Sequence, residues 1–309
     1  MSDTAALAAV DCGTNSTRLL VVRASGEVAA REMRITRLGA GVDASRRLRP
    51  EAIERTLDVL KEYRAIMDAE QVTRTRLVAT SAVRDASNPE AFLEPASAVV
   101  GVRAEVLSGD EEGRVSYAGA TGDLPPIAGH TVVIDIGGGS TEIVTLVDGA
   151  IAAISLDIGC VRLTERYLQS DPPTAEEIDA ARGAIEVELE RAAQRMPVLA
   201  QIGSADRLVG LAGTVSTLAG LELGLVQYDR DRIHHSVLSR TSVEKWCDLL
   251  GAERVRERAE RAAITEGRED VIFGGALVLR EAMRRFGFAE CVVSEADILD
   301  GLILGLRGR

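Results

Sequence analysis

Positive charge is scarce in this chain, and lysine is almost missing. Its 309 residues hold 36 lysines and arginines against 48 acids, a formal net charge of −12. That balance excludes a general nucleic-acid binder, which needs cations to replace the counterions of a polyanion. It does not exclude a small pocket that is locally positive. Only Lys61 and Lys245 are lysines, so the cations are nearly all arginines. Arginine suits bidentate phosphate contacts, although codon composition produces the same bias. No apolar run reaches the ~18 residues of a membrane helix, so no membrane partner is expected. The opening MSDTAALAAV has no basic n-region, so no signal peptide is expected and the cytoplasm is the expected location. The few cysteines, Cys12, Cys160, Cys247 and Cys291, stand far apart with no CxxC spacing. They read as free thiols of a reducing compartment, not as a disulfide framework or zinc site.

What is present is an alternation of strand and helix signals in a length that suits about two domains. ALAAVDCG, STRLLVVRAS and GEVAAREMRITRLG read as a first group of strands. PEAIERTLDVLKEYRAIMDA is an amphipathic helix with Pro50 at its start. A strand, TRLVA, precedes SAVRDASN, and NPEAFLEPASAVVG reads as a helix interrupted at Pro95. VRAEVLSG is a strand, followed by a helix that starts just after Gly109. TGDLPPIAG, residues 121–129, is the best linker. Domains are therefore expected over 1–126 and 127–309, with the last helix, about 295–309, a candidate for packing back on the first. After the linker, HTVVIDIGGG, STEIVTLVDG and AIAAISLDIG predict a three-stranded meander. A helical region from about Gly159 to Pro197 is broken at SDPPT. RLVGLAG is a strand entering a helix, and the remainder is helix-rich, with one more strand at AECVVS.

The glycines of VVIDIGGGSTEIVTLV need a reason, because glycine weakens a strand. One reading is a tight hairpin. The other is a turn whose bare N–H groups approach a phosphate. The rest of the chain favours the second. Asp11-Cys-Gly-Thr-Asn-Ser-Thr17 aligns with Asp135-Ile-Gly-Gly-Gly-Ser-Thr141, each between apolar strands. A strand-turn-strand repeated at domain spacing is hard to explain as two unrelated hairpins.

Two domains that each open on strand, D-x-G-x-x-S/T, strand resemble the actin/sugar-kinase/Hsp70 superfamily. That resemblance implies an α/β fold of two ribonuclease H-like (actin-like ATPase) domains, with an interdomain cleft that holds a phosphate chain between the turns. Gly13 and Gly137–Gly139 would let N–H groups reach phosphate, while Ser16, Thr17, Ser140 and Thr141 add hydroxyls. Asp11 and Asp135 would hold a divalent cation or its waters. ATSAVRDASN, LSGDEEGR, GLAGTVSTLAG, IHHSVLSR, REDVIFGGALVL and VSEADILDGLILG follow in an order that resembles the Ppx/GppA family of exopolyphosphatases and guanosine pentaphosphate phosphohydrolases.

The family resemblance implies residue roles. Glu112 is the expected general base that deprotonates the attacking water. The sequence does not separate it from Glu111, although neighbours on a helix point about 100° apart. Glu142 is the second acidic residue, a metal ligand or a partner in positioning water. Arg84 is the phosphate-binding arginine, and Thr14, Asn15 and Ser16 contact phosphate from the first turn. Gly213 belongs to a third glycine turn that cups a guanosine, supports a polyphosphate path or lets a helix pack closely. Arg162, Arg166 and Arg268 line an exit path for a longer chain or make surface salt bridges, with Arg268 taken as substrate-binding. His234 and His235 are expected to be structural or hydrogen-bonding and not to hold a metal. The implied cofactor is Mg²⁺, or Mn²⁺ in its place. The implied assembly is a homodimer.

The expected activity is release of orthophosphate from the end of inorganic polyphosphate. The alternatives are a pppGpp phosphohydrolase and an alarmone sensor with little turnover. A sugar kinase fits the GGGSTE turn and SGDEEGR less well. Longer family members carry added C-terminal domains, so this chain is expected to be a short, core-only form.

Overall fold

The structure, a computed structural model, describes residues 5–308. Arg309, at the end of the expected last helix, lies outside them, as do residues 1–4. Two compact units emerge from the chain's contacts. One runs to Gly119 and resumes at Asp297; the other is Ala120–Ala296. The Pro-containing stretch that marks a boundary in the sequence lies just beyond Gly119.

The first unit is built on a five-stranded sheet. Its strands are β1 (Ala6–Cys12), β2 (Ser16–Val22), β3 (Val28–Ile35), β4 (Val72–Ala79) and β5 (Ala104–Val106), in the order β3-β2-β1-β4-β5. β1, β2 and β3 form an antiparallel meander, while β4 and β5 run parallel to β1. Alternation along β1 explains the layers. Ala8, Val10 and Cys12 face a core that includes Leu60 and Tyr63 of the helix Pro50–Ala69. Leu7 and Ala9 face the opposite way, against Ile298, Leu299, Leu302, Ile303 and Leu306. Those five lie on one stripe of the last helix, Ile298–Arg307, which is why the end of the chain belongs to the first unit. Asp297 caps that helix, and the Asp300 side chain reaches back to the Asp297 N–H.

Pro95 does not interrupt its helix. Glu90–Val100 is continuous. Proline removes one N–H from the ladder, but Phe92, Ala96 and Val100 form a buried stripe on both sides of it. Burial of that stripe outweighs the lost bond.

The second unit repeats the plan. β6 (Thr131–Ile136), β7 (Thr141–Val147) and β8 (Ala150–Leu156) form the meander, and β9 (Arg207–Leu211) runs parallel to β6. β10 (Val237–Ser239) and β11 (Glu290–Val293) complete the order β10-β11-β9-β6-β7-β8. β10 is absent from the sequence reading. Its three residues, one of them buried, are too short to show a period of two. The long helical region is two helices, Cys160–Tyr167 and Ala175–Arg195.

Candidate active site

In both units the parallel strands end together, and the motif residues gather at those carboxyl ends. This is where open α/β sheets bind ligands. The repeat extends to single hydrogen bonds. Gly13 N–H donates to the Ser16 carbonyl at 3.0 Å, and Gly137 N–H donates to the Ser140 carbonyl at 3.0 Å. These two N–H groups close the turns, so the glycines first in each turn do not offer them to a phosphate. That corrects the sequence reading of Gly13 and Gly137.

The donors lie one step further on. In the first turn the Thr14 carbonyl accepts from Gly39 N–H, and the Asn15 carbonyl accepts from Thr36 and Arg37 N–H. In the second, the carbonyls of Gly137 and Gly138 accept from Cys160, Val161 and Arg162 N–H at 2.9–3.1 Å. Arg162 Nε donates to the Gly139 carbonyl at 2.6 Å. In a planar trans peptide the N–H points opposite to the carbonyl. Holding the carbonyls back therefore turns the N–H groups of Asn15, Ser16, Gly138, Gly139 and Ser140 the other way. Successive N–H groups presented like this form an anion-binding concavity.

Two glycines the sequence reading passed over allow this packing. A Cβ on Gly159 would lie 2.2 Å from the Gly138 carbonyl oxygen, and one on Gly39 would lie 2.3 Å from Thr14 Cγ2. Their signal in the sequence is position: each follows the third strand of a repeated meander.

The first turn also holds unsatisfied side chains. Asp11 Oδ1, Thr14 Oγ1 and Asn15 Nδ2 are buried without a hydrogen-bond partner. Buried polar atoms are rarely left so, and several on one turn suit a polar ligand. Asp11 Oδ2 accepts from Arg18 Nε and Nη2, and Arg18 also pairs with Asp297. Burial raises the Asp11 pKa, and Arg18 only partly opposes it. Ser16 begins β2 and is half-buried.

Thr17 and Thr141 face away from this chemistry. Thr17 Oγ1 bonds Thr36 Oγ1, and Thr141 Oγ1 donates to the Ile158 carbonyl. Each hydroxyl has one proton to donate, and both sit on the inner face of their strands. The expectation that they donate to phosphate is corrected: they brace the hairpins. Ser140, on the other face, is buried.

Asp135 and Glu142 are cross-strand partners on β6 and β7. At the equivalent place in the first unit, Asp11 is partnered by Arg18. The first unit therefore pairs acid with base, and the second pairs acid with acid. Glu142 is 1% exposed and accepts from Ser155 Oγ at 2.7 Å. Two carboxylates on one face of an antiparallel pair repel, and such an all-oxygen pair fits a hard divalent cation.

Glu111 and Glu112 are separated by the fold. Glu111 accepts from Ser108 N–H and Oγ at the start of its helix, and those bonds lower its pKa. Glu112 turns inward. Arg84 Nη1, reaching from the helix after β4, lies 2.9 Å from Glu112 Oε2 and 2.9 Å from the Leu107 carbonyl. In the second unit, a Cβ on Gly213 would lie 1.9 Å from Arg268 Nη1, so this guanidinium covers the third glycine turn. Its charge also acts on Cys160, next to the second turn. Arg162 is not a surface residue: it is 6% exposed and bonded to the Gly139 carbonyl. Arg166 is exposed in the last turn of its helix.

His234 and His235 have an acidic neighbour that the sequence did not reveal. Asp123 joins them in a group whose possible ligand atoms lie within 4.8 Å of one another. However, His234 Nδ1 accepts from Glu295 N–H at 3.1 Å. Its proton is therefore on Nε2, which donates to Asp123 at 2.9 Å. A metal ligand would need Nε2 bare and the proton on Nδ1, against a backbone donor. The cluster is arranged for hydrogen bonding.

Repeated ribonuclease H-like units, each with a turn built to present N–H groups, define a phosphate-handling protein of the actin-like class. The chain belongs to the Ppx/GppA phosphatase family, which matches residues 21–309. It is 43% identical to the protein named exopolyphosphatase 2 of Mycobacterium tuberculosis over 318 aligned positions, covering 98% of each chain. A crystal structure of an exopolyphosphatase-like protein superposes with a TM-score of 0.92 at 34% identity, covering 98% of this chain and 100% of that one. The Aquifex aeolicus member of the Ppx/GppA family superposes at 0.80, also with 34% identity, over 98% of this chain and 97% of that one.

Proposed function

We propose that this chain is an exopolyphosphatase that hydrolyses the terminal phosphoanhydride of inorganic polyphosphate and releases orthophosphate. The observation that carries this reading is the pair of turns whose carbonyls are tied back and whose N–H groups are turned outward. The similarity to the protein named exopolyphosphatase 2 supports the substrate class.

Each unit carries its own turn and its own carboxylates. The first turn positions phosphate through Thr14, Asn15 and Ser16, and Arg84 through its guanidinium. The second turn offers phosphate the N–H groups of Gly138, Gly139 and Ser140. Arg84 now holds Glu112. A phosphate that takes over this arginine leaves Glu112 free to accept the proton of the attacking water. In the second unit Asp135 and Glu142 are the residues that would hold Mg²⁺ or Mn²⁺, and in the first unit Asp11 offers an unpartnered carboxylate oxygen to a cation or its waters. When bound, the ion would neutralise charge on the phosphate oxygens. Positioning and electrostatics of this kind are most of what phosphoryl transfer requires.

Finer points rest on the family resemblance: action on pppGpp, a homodimeric working form and a cytoplasmic location. Among the described residues no helix is long and apolar enough to cross a membrane. The test is orthophosphate release with Mg²⁺ from short polyphosphate, long polyphosphate and pppGpp in parallel, using wild type and Glu112→Gln. Release from polyphosphate that disappears in the variant supports the proposal. Release from pppGpp alone replaces the substrate, and binding without release from any of them makes the protein a sensor.

A further inference from the structure

The carbonyl lock behind the second glycine turn has one component that is a side chain. Gly137 and Gly138 are held by backbone N–H groups from the start of the helix Cys160–Tyr167, and no side-chain substitution removes these directly. Gly139 is held by Arg162 Nε at 2.6 Å. Because the Gly139 carbonyl and the Ser140 N–H belong to one planar peptide, fixing the first fixes the second. Glycine has little preference between peptide orientations, so the Gly139 side of this peptide does not itself fix the orientation.

The burial of Arg162 agrees with a dedicated role. Its side chain is 7% exposed, and its Nη1 lies 3.7 Å from Asp157. Burying a guanidinium costs free energy unless hydrogen bonds such as that to the Gly139 carbonyl offset it. Arg162 itself also donates its backbone N–H to the Gly138 carbonyl. One residue thus braces two consecutive peptides of the turn.

We propose that Arg162 is a positioning residue: it does not touch substrate, but holds the Gly139–Ser140 peptide so that the Ser140 N–H donates to the phosphoryl group in the transition state. This rests on the hydrolase reading above. A donor aimed at developing charge matters more to the transition state than to the bound substrate.

The test uses the full chain with Arg162→Met, Arg162→Lys and Asp157→Asn. Polyphosphate hydrolysis is measured per folded protein, with inhibition by orthovanadate and by orthophosphate alongside. Removing an aimed donor typically costs ~10²-fold in kcat. Arg162→Met is expected to lose on the order of that factor, with KM within about threefold. Orthovanadate, which adopts the transition-state geometry, should lose affinity in proportion to kcat, while orthophosphate should not. Arg162→Lys keeps a donor and should recover part of the loss; Asp157→Asn should resemble wild type. A residue that only supports the fold would leave the vanadate-to-phosphate ratio unchanged, and that result overturns the proposal. If Arg162→Met does not fold, Arg162→Lys decides alone: a wild-type kcat and ratio there overturn it. A wild type that releases no orthophosphate overturns the hydrolase reading instead, a separate result from an active wild type indifferent to Arg162.

Discussion

Asp135 and Glu142 stand directly opposite each other across the β6–β7 pair, where the first unit sets Asp11 against Arg18. Folding brings the like charges together, so removing one should stabilise the metal-free protein. Glu142→Gln is expected to raise its melting temperature by a few degrees, equivalent to about 1 kcal/mol. Mg²⁺ should raise the melting temperature of wild type and leave that of the variant nearly unchanged. Hydrolysis should fall at least ~10²-fold. Thermal unfolding with and without Mg²⁺ checks this, and a variant still stabilised by the ion would place the metal elsewhere.

The neighbours Glu111 and Glu112 should behave differently. Glu112→Gln is expected to lower kcat by ~10²-fold or more, as loss of a general base does. Glu111→Gln should leave it within about threefold. A reversed pattern would exchange their roles.

Glu111 also makes a pH prediction. Its hydrogen bonds from Ser108 depress its pKa. A depressed carboxylate stabilises the fold above its unfolded pKa and loses that contribution as pH falls through the folded value. Ser108→Ala removes the hydroxyl donor, so the Glu111 pKa should rise toward its ordinary range. An NMR titration of the Glu111 carboxyl carbon reads this directly; an unchanged midpoint would refute it.

Asp11 has the opposite sign. Burial raises its pKa, so its protonated form favours the fold. That contribution is present below the unfolded pKa and lost as pH rises through the folded one. Arg18 limits the rise. Arg18→Met should destabilise the protein at neutral pH by about 3 kcal/mol, and by less near pH 4. Urea unfolding at both pH values checks the sign; an equal loss would mean that Asp297, and not Asp11, is the partner that matters.

Gly159→Ala should damage the second turn, since its Cβ would lie 2.2 Å from a backbone oxygen. A loss of about 2 kcal/mol is expected from such overpacking, together with most of the activity. A variant with wild-type activity would show that the turn tolerates displacement.

The sequence by itself determined the fold class and the location of the turns. Apolar alternation is a local property, and the repeat of Asp11–Thr17 at Asp135–Thr141 is visible without coordinates. The helix Pro50–Ala69 has the bounds its periodicity predicts. Tertiary structure alone decided which atoms do the work. The N–H groups of Gly13 and Gly137 are used inside their turns, and Thr141 faces the core, because hydrogen-bond partners come from the fold and not from residue type. Arg162, exposed by charge alone, is buried under Gly139 because the helix that carries it starts against the turn. Asp123 lies far from His234 in sequence, yet they are hydrogen-bonded. Strand and helix periods are written in neighbouring residues, whereas the partners of a polar atom are set by how distant segments pack.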